Sequence, residues 1–124
     1  MPLINNANPP SFEIPGVSFV NVAAPSRGSV ENAIWRTRVE PNSLGLEHHM
    51  TREEIIVAVN GKGVVQVGAH RYELAPGDAF AVPAFTSFRL GSLGDEPFEA
   101  VTVLPAGSHA VVAGKPSFQP AWSI

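Results

Sequence analysis

The chain has 124 residues and no cysteine. Disulfides and thiolate metal sites are therefore excluded, and the composition agrees with a reducing compartment. Charge is sparse as well: 15% of residues are Asp, Glu, Lys or Arg, and the net charge is -3. No cluster of Lys and Arg stands out, which argues against a nucleic-acid surface. No apolar stretch approaches the roughly 20 residues that span a bilayer, so no membrane association is expected. The start, MPLINNANPPSFEIPG, has neither a basic segment nor a continuous apolar core, so it does not read as a secretory signal. A soluble cytoplasmic protein is the expectation. No window carries a 3.6-residue apolar period with caps at both ends, so long helices are not expected either.

What the chain does have is punctuation. Eleven glycines and twelve prolines are spread among short runs of Val, Ile, Phe and Ala. Short strands joined by turns produce that texture, because Gly and Pro are most costly inside helices. Residues 1–15 read as an irregular arm, with Pro9, Pro10 and Pro15 interrupting any ladder. Strands are expected at 18–23, 33–39, 54–60, 64–67, 72–74, 79–82, 87–90 and 98–104, with a loop at 91–97 and a Gly/Pro-rich tail from 105 to 124. In the second of these, Trp35, Thr37 and Val39 share one face, and Arg36 and Arg38 the other. Strands at intervals of about 8 to 12 residues imply one all-β domain, a sandwich or a barrel.

Two segments are more specific. Residues 47–63 read EHHMTREEIIVAVNGKG, and residues 72–92 read YELAPGDAFAVPAFTSFRLGS. Glu54 is followed by six residues and Gly61, and Gly77 by five residues and Pro83. This spacing resembles the two motifs of the cupin family, and the resemblance covers roughly residues 33–104. It implies a cupin-type antiparallel β-barrel, a double-stranded β-helix of jelly-roll kind, with any site inside the barrel. Homodimers are common among the small proteins of this kind, so a homodimer is expected.

Metal-binding members of that family use two histidines and a glutamate from motif 1 and a histidine from motif 2. The resemblance puts Glu54 at the glutamate position and Phe88, five residues after Pro83, where the motif 2 histidine would stand. Motif 1 allows two registers. Three residues between ligand and Glu54 give His48-x-Met50, and four give Glu47-x-His49. His48 and His49 are adjacent, so on a regular strand they face opposite sides.

The candidate metal-ligating or acid/base residues are thus His48, His49 and Glu54. Phe88, Ile56 and Phe80 are the candidate pocket wall. His70 and His109 read as surface histidines. A carboxylate on the inner face of a barrel is costly unless it meets a metal or a cation, accepts hydrogen bonds or takes up a proton. The bland alternative is a wet rim, with Glu54 paired to Arg52 or Arg38.

Two functions follow. One is a small-molecule-binding protein with a degenerate metal site, which is metal-free or holds a divalent ion weakly. The other is an enzyme with one Zn, Mn, Fe or Ni ion, of isomerase, dioxygenase or lyase type, acting on a small metabolite. Phe88 and the broken His-x-His favour the first.

Overall fold

The computed structural model describes all 124 residues, and nearly every regular element is a strand. β1 (Ser11–Ile14), β2 (Val17–Ala23), β3 (Asn32–Val39), β5 (Glu54–Asn60), β8 (Ala79–Val82) and β10 (Phe98–Pro105) form a six-stranded sheet ordered β1-β2-β3-β10-β5-β8. β7 (His70–Leu74), β6 (Lys62–Val67) and β9 (Arg89–Leu93) form a second sheet, with β6 in the middle. β4 (His49–Met50) pairs with β11 (Ala110–Val111). Every pairing is antiparallel. Isolated bridges at Leu44–Gly91 and His48–Phe88 lay the chain before β4 along β9. No helix is long and apolar enough to cross a membrane.

The central strands follow a two-residue period. Along β10, Phe98, Ala100, Thr102 and Leu104 are buried while Glu99, Val101, Val103 and Pro105 are half-buried. β3 buries Ala33, Trp35, Thr37 and Val39 and exposes Arg36 and Arg38, as the alternation predicts. The inner faces supply two clusters. One holds Val39, Ile56, Val65, Leu74, Phe88 and Phe98 among others, and the second gathers Phe19, Trp35, Met50 and Leu104.

Three segments depart from the expectations. The arm is not irregular throughout: Ser11–Ile14 forms β1 against β2, because Pro9 and Pro10 precede the ladder and Pro15 follows it. The expected loop at 91–97 is shortened, since β9 runs on to Leu93 and pairs Ser92 with Gly63. The tail is ordered around β11 and a 3-10 turn at Ala121–Ser123.

The turn between β5 and β6 explains two glycines. Gly61 sits at φ 76°, and an added Cβ would run into the Pro97 carbonyl oxygen. Gly63 lies over the ring of Phe98, which is wholly buried; a Cβ there would stand 2.7 Å from Cε2 and closer still to Cζ. The bulk that Gly63 lacks is taken up by Phe98. Gly63→Ala should therefore overpack this end of the barrel and lower the unfolding free energy by about 1–3 kcal/mol in urea titrations. An unchanged midpoint would show that Phe98 has room to move.

Candidate functional site

A cavity of about 150 Å³ opens between the two clusters and takes walls from both. Its lining is mostly apolar and rich in rings: Phe19, Trp35, Phe88, Phe118 and Trp122. The polar side chains that reach it are Thr37, Thr102, His48 and Glu54. The two threonine hydroxyls, 3.4 Å apart, hydrogen-bond to each other.

Glu54 opens β5 opposite Val82 of β8, on the face that carries Ile56 and Ala58. It is 6% exposed, and its Oε2 is buried without a hydrogen-bond partner. The rim pairing with Arg52 or Arg38 does not occur. Arg52 is exposed, and Arg38 points to the outer face, where it meets Glu40 at 3.8 Å. Burial without compensation disfavours the charged form and pushes the Glu54 pKa up to about 7.

His48 enters from the other side. Its backbone exchanges two hydrogen bonds with Phe88, of 3.1 and 2.9 Å, and its ring lies 4.5 Å from the ring of Phe88. Nδ1 is 2.9 Å from the Leu46 carbonyl. A carbonyl only accepts, so this nitrogen carries the proton, and Nε2 keeps its lone pair in the neutral ring. Burial lowers the His48 pKa, the Leu46 contact opposes that, and the charge of His49 lowers it further.

The structure decides between the two registers of motif 1. His48 and Met50 line the cavity together with Glu54; His49 does not line it, and its ring lies 6.0 Å from that of the exposed Phe85. Of the candidate wall residues, Phe88 and Ile56 line the cavity. Phe80 stands opposite Ile56 but packs on Tyr72, with ring centroids 5.0 Å apart, outside the cavity lining. His70 is exposed at the start of β7, and His109 adjoins β11.

Sequence reasoning did not place the C-terminal residues here. Trp122 stacks flat on Phe19, with centroids 3.7 Å apart and planes at 4°, and its carbonyl accepts a 2.7 Å bond from Asn21. The side chains of Phe118 and Trp122, in the Gly/Pro-rich tail, form part of the cavity wall.

The donor set does not fit a divalent metal centre. The four motif positions hold His48, Met50, Glu54 and Phe88, so two nitrogen or oxygen donors remain where a catalytic zinc site has three protein ligands. Nowhere in the structure do three or more His, Cys, Asp or Glu side chains cluster as a metal site.

An antiparallel barrel with an internal pocket, reached by motif 1 and motif 2, is the architecture of a cupin. The family model for the cupin domain matches residues 35–104, over half of the chain, and the protein belongs to that family. No curated protein matches the sequence. Among solved structures, the chain is similar to the polyketide cyclase RemF from Streptomyces resistomycificus, with a TM-score of 0.78 at 14% identity, covering 98% of this chain and 88% of that one. It is also similar to a sugar phosphate isomerase of the cupin superfamily from Silicibacter pomeroyi, with a TM-score of 0.74 at 17% identity over 92% and 83% of the two chains. KdgF from Halomonas sp. gives a TM-score of 0.70 at 20% identity over 84% and 94%. Likeness at these identities establishes the fold.

The state of Glu54 has a measurable consequence. Its folded pKa lies above its unfolded value of 4.5, so its contribution to stability is full below pH 4.5 and is lost as pH rises through about 7. The loss amounts to about 3 kcal/mol. The lowered pKa of His48 acts in the opposite sense, its contribution being lost as pH falls below 6.5. Glu54→Gln should therefore gain stability over the natural protein at pH 8 and much less at pH 5, with the His48 contribution common to both. Urea unfolding at the two pH values checks it, and equal gains at both would mean that Glu54 is not charged in a dry site.

Proposed function

We propose that this cupin binds a small molecule inside its barrel without a tightly held metal, with Glu54 and His48 as its polar groups. The observation that carries this reading is the pair of apolar side chains, Met50 and Phe88, standing at two of the four motif positions in the cavity wall. They replace donors with surface that favours an apolar part of a ligand. A mostly apolar cavity of about 150 Å³ has room for a molecule of about one six-membered ring.

Glu54 and His48 also suit proton transfer. A carboxyl group with a pKa near 7 and a neutral imidazole with a free Nε2 are an acid and a base at neutral pH. Cyclase, isomerase and dioxygenase activities belong to structural neighbours that share the fold. The metal-dependent alternative is served by two donors only, which supports at most a weakly bound ion.

Two measurements test the reading. Zinc, nickel and manganese titrated by calorimetry should bind weakly and below one ion per chain, whereas Met50→His combined with Phe88→His should raise affinity by about 1–3 kcal/mol per restored donor. Tight stoichiometric binding by the natural protein would overturn the metal-free reading. Toluene should give a saturable shift of the Met50 methyl resonance, and no shift up to its solubility would overturn the pocket reading.

The partner proposed for the outer face of the six-stranded sheet is a second copy of the chain. Val20, Ile34, Ile55, Val57, Val101 and Val103 form a half-buried apolar strip there, with Val101 opposite Val57 and Val103 opposite Ile34 and Ile55. Arg36 and Arg38 flank it on β3, and Glu99 on β10. Sedimentation velocity at micromolar concentration should show a dimer that Val101→Glu disperses; a monomeric natural protein would overturn this.

A further inference from the structure

The cavity pairs three features that bear on the charge of its ligand. First, Glu54 is the one carboxylate in the wall, and its Oε2 is buried and unpartnered. Second, no lysine, arginine or aspartate lines the cavity. His48 supplies no fixed positive charge, because burial lowers its pKa. Third, the remaining wall is mostly apolar and carries five aromatic rings, of Phe19, Trp35, Phe88, Phe118 and Trp122.

Each class of ligand meets this wall differently. An anion would face a carboxylate with no cation to offset it, which is unfavourable in a site of low dielectric. A metal ion would find two donors. A neutral apolar molecule would fill the space but leave Oε2 without a partner. An organic ammonium ion answers all three features. Its charge meets Glu54, and its methylene or ring carbons meet the apolar wall. Aromatic faces attract such cations, more strongly where water is excluded. At pH 8, above the Glu54 pKa of about 7, the carboxylate is already charged in the free protein, so its desolvation is not incurred again on binding.

Building on the pocket reading above, we infer that the barrel selects a small organic ammonium ion of about one ring, held between the Glu54 carboxylate and the aromatic wall. Glu54 is then the residue that determines specificity for charge, and the rings select for size and apolar character.

Three single-ring probes differing in charge test this: benzylammonium, benzyl alcohol and benzoate, titrated at pH 8 and followed by the emission of Trp35 and Trp122. Benzylammonium should bind at least about tenfold more tightly than benzyl alcohol, with benzoate weakest. Glu54→Gln should abolish that preference, so that benzylammonium binds the variant no more tightly than benzyl alcohol binds it. The variant removes a buried charge, so folding is not expected to fail, and the ranking in the natural protein stands on its own. Equal binding of benzylammonium and benzyl alcohol, a preference that survives Glu54→Gln, or tight binding of benzoate would overturn the inference while leaving the pocket reading intact. Binding of none of the three would overturn both.

Discussion

The register of three strands governs this molecule. β3, β10 and β5 are paired so that Trp35 lies opposite Thr102, and Thr102 opposite Ile56. That alignment puts Trp35, Thr37, Thr102, Ile56 and Glu54 on one face. A slip of one residue in β5 would bring Ile55 and Val57 inward and turn Glu54 out to water. The slip would remove the penalty on Glu54, yet it would also expose Ile56 and Ala58. The apolar residues on the inner face therefore hold the carboxylate where it is unfavourable, and the polar character of the cavity follows from that constraint.

Met50 and Phe88 show how such a cavity is tuned without a change of fold. Both belong to the buried clusters: Phe88 is 1% exposed and packs with Ile56, Val82 and Phe98. Side chains in these positions add to the core what a ligand set would have left polar. Glu54 and His48 remain, short of the three protein ligands of a catalytic zinc site. The outcome is a pocket with one acidic pole in a mostly apolar wall. Its chemistry is set by desolvation rather than by coordination.

The tail adds a long-range closure. Phe118 exchanges backbone hydrogen bonds with Ala110, and Ala110 pairs with Met50 beside His49. Trp122 stacks on Phe19, and the Ile124 carbonyl accepts a 2.6 Å bond from Ser26. The segment that completes the aromatic wall is thus tied to β2, to the turn after it and to the strand pair carrying His49 and Met50. Changes at the C-terminus would reach the cavity directly.

Much of the fold was legible because alternation and turn chemistry are local signals. The strands at 54–60 and 79–82 match the expected bounds, and the inner and outer faces of β3 follow from alternation alone. Spacing around Glu54, Gly61, Gly77 and Pro83 was enough to indicate a cupin barrel. The candidate site was legible only in part. Adjacent histidines offer two registers, and the choice of His48 with Met50 depends on the bridge to Phe88, a contact across 40 residues. The missing partner of Glu54 was equally hidden, since Arg52, two residues away, and Arg38, on β3, are both exposed and leave the carboxylate unpaired. The aromatic part of the wall from Phe118 and Trp122 has no periodic signature, because a Gly/Pro-rich tail encodes no repeat. Sequence alone determined which residues alternate and where the chain turns, through interactions spanning a few residues. Tertiary structure decided which of them meet inside the barrel, because burial and pairing there depend on strands far apart in the chain.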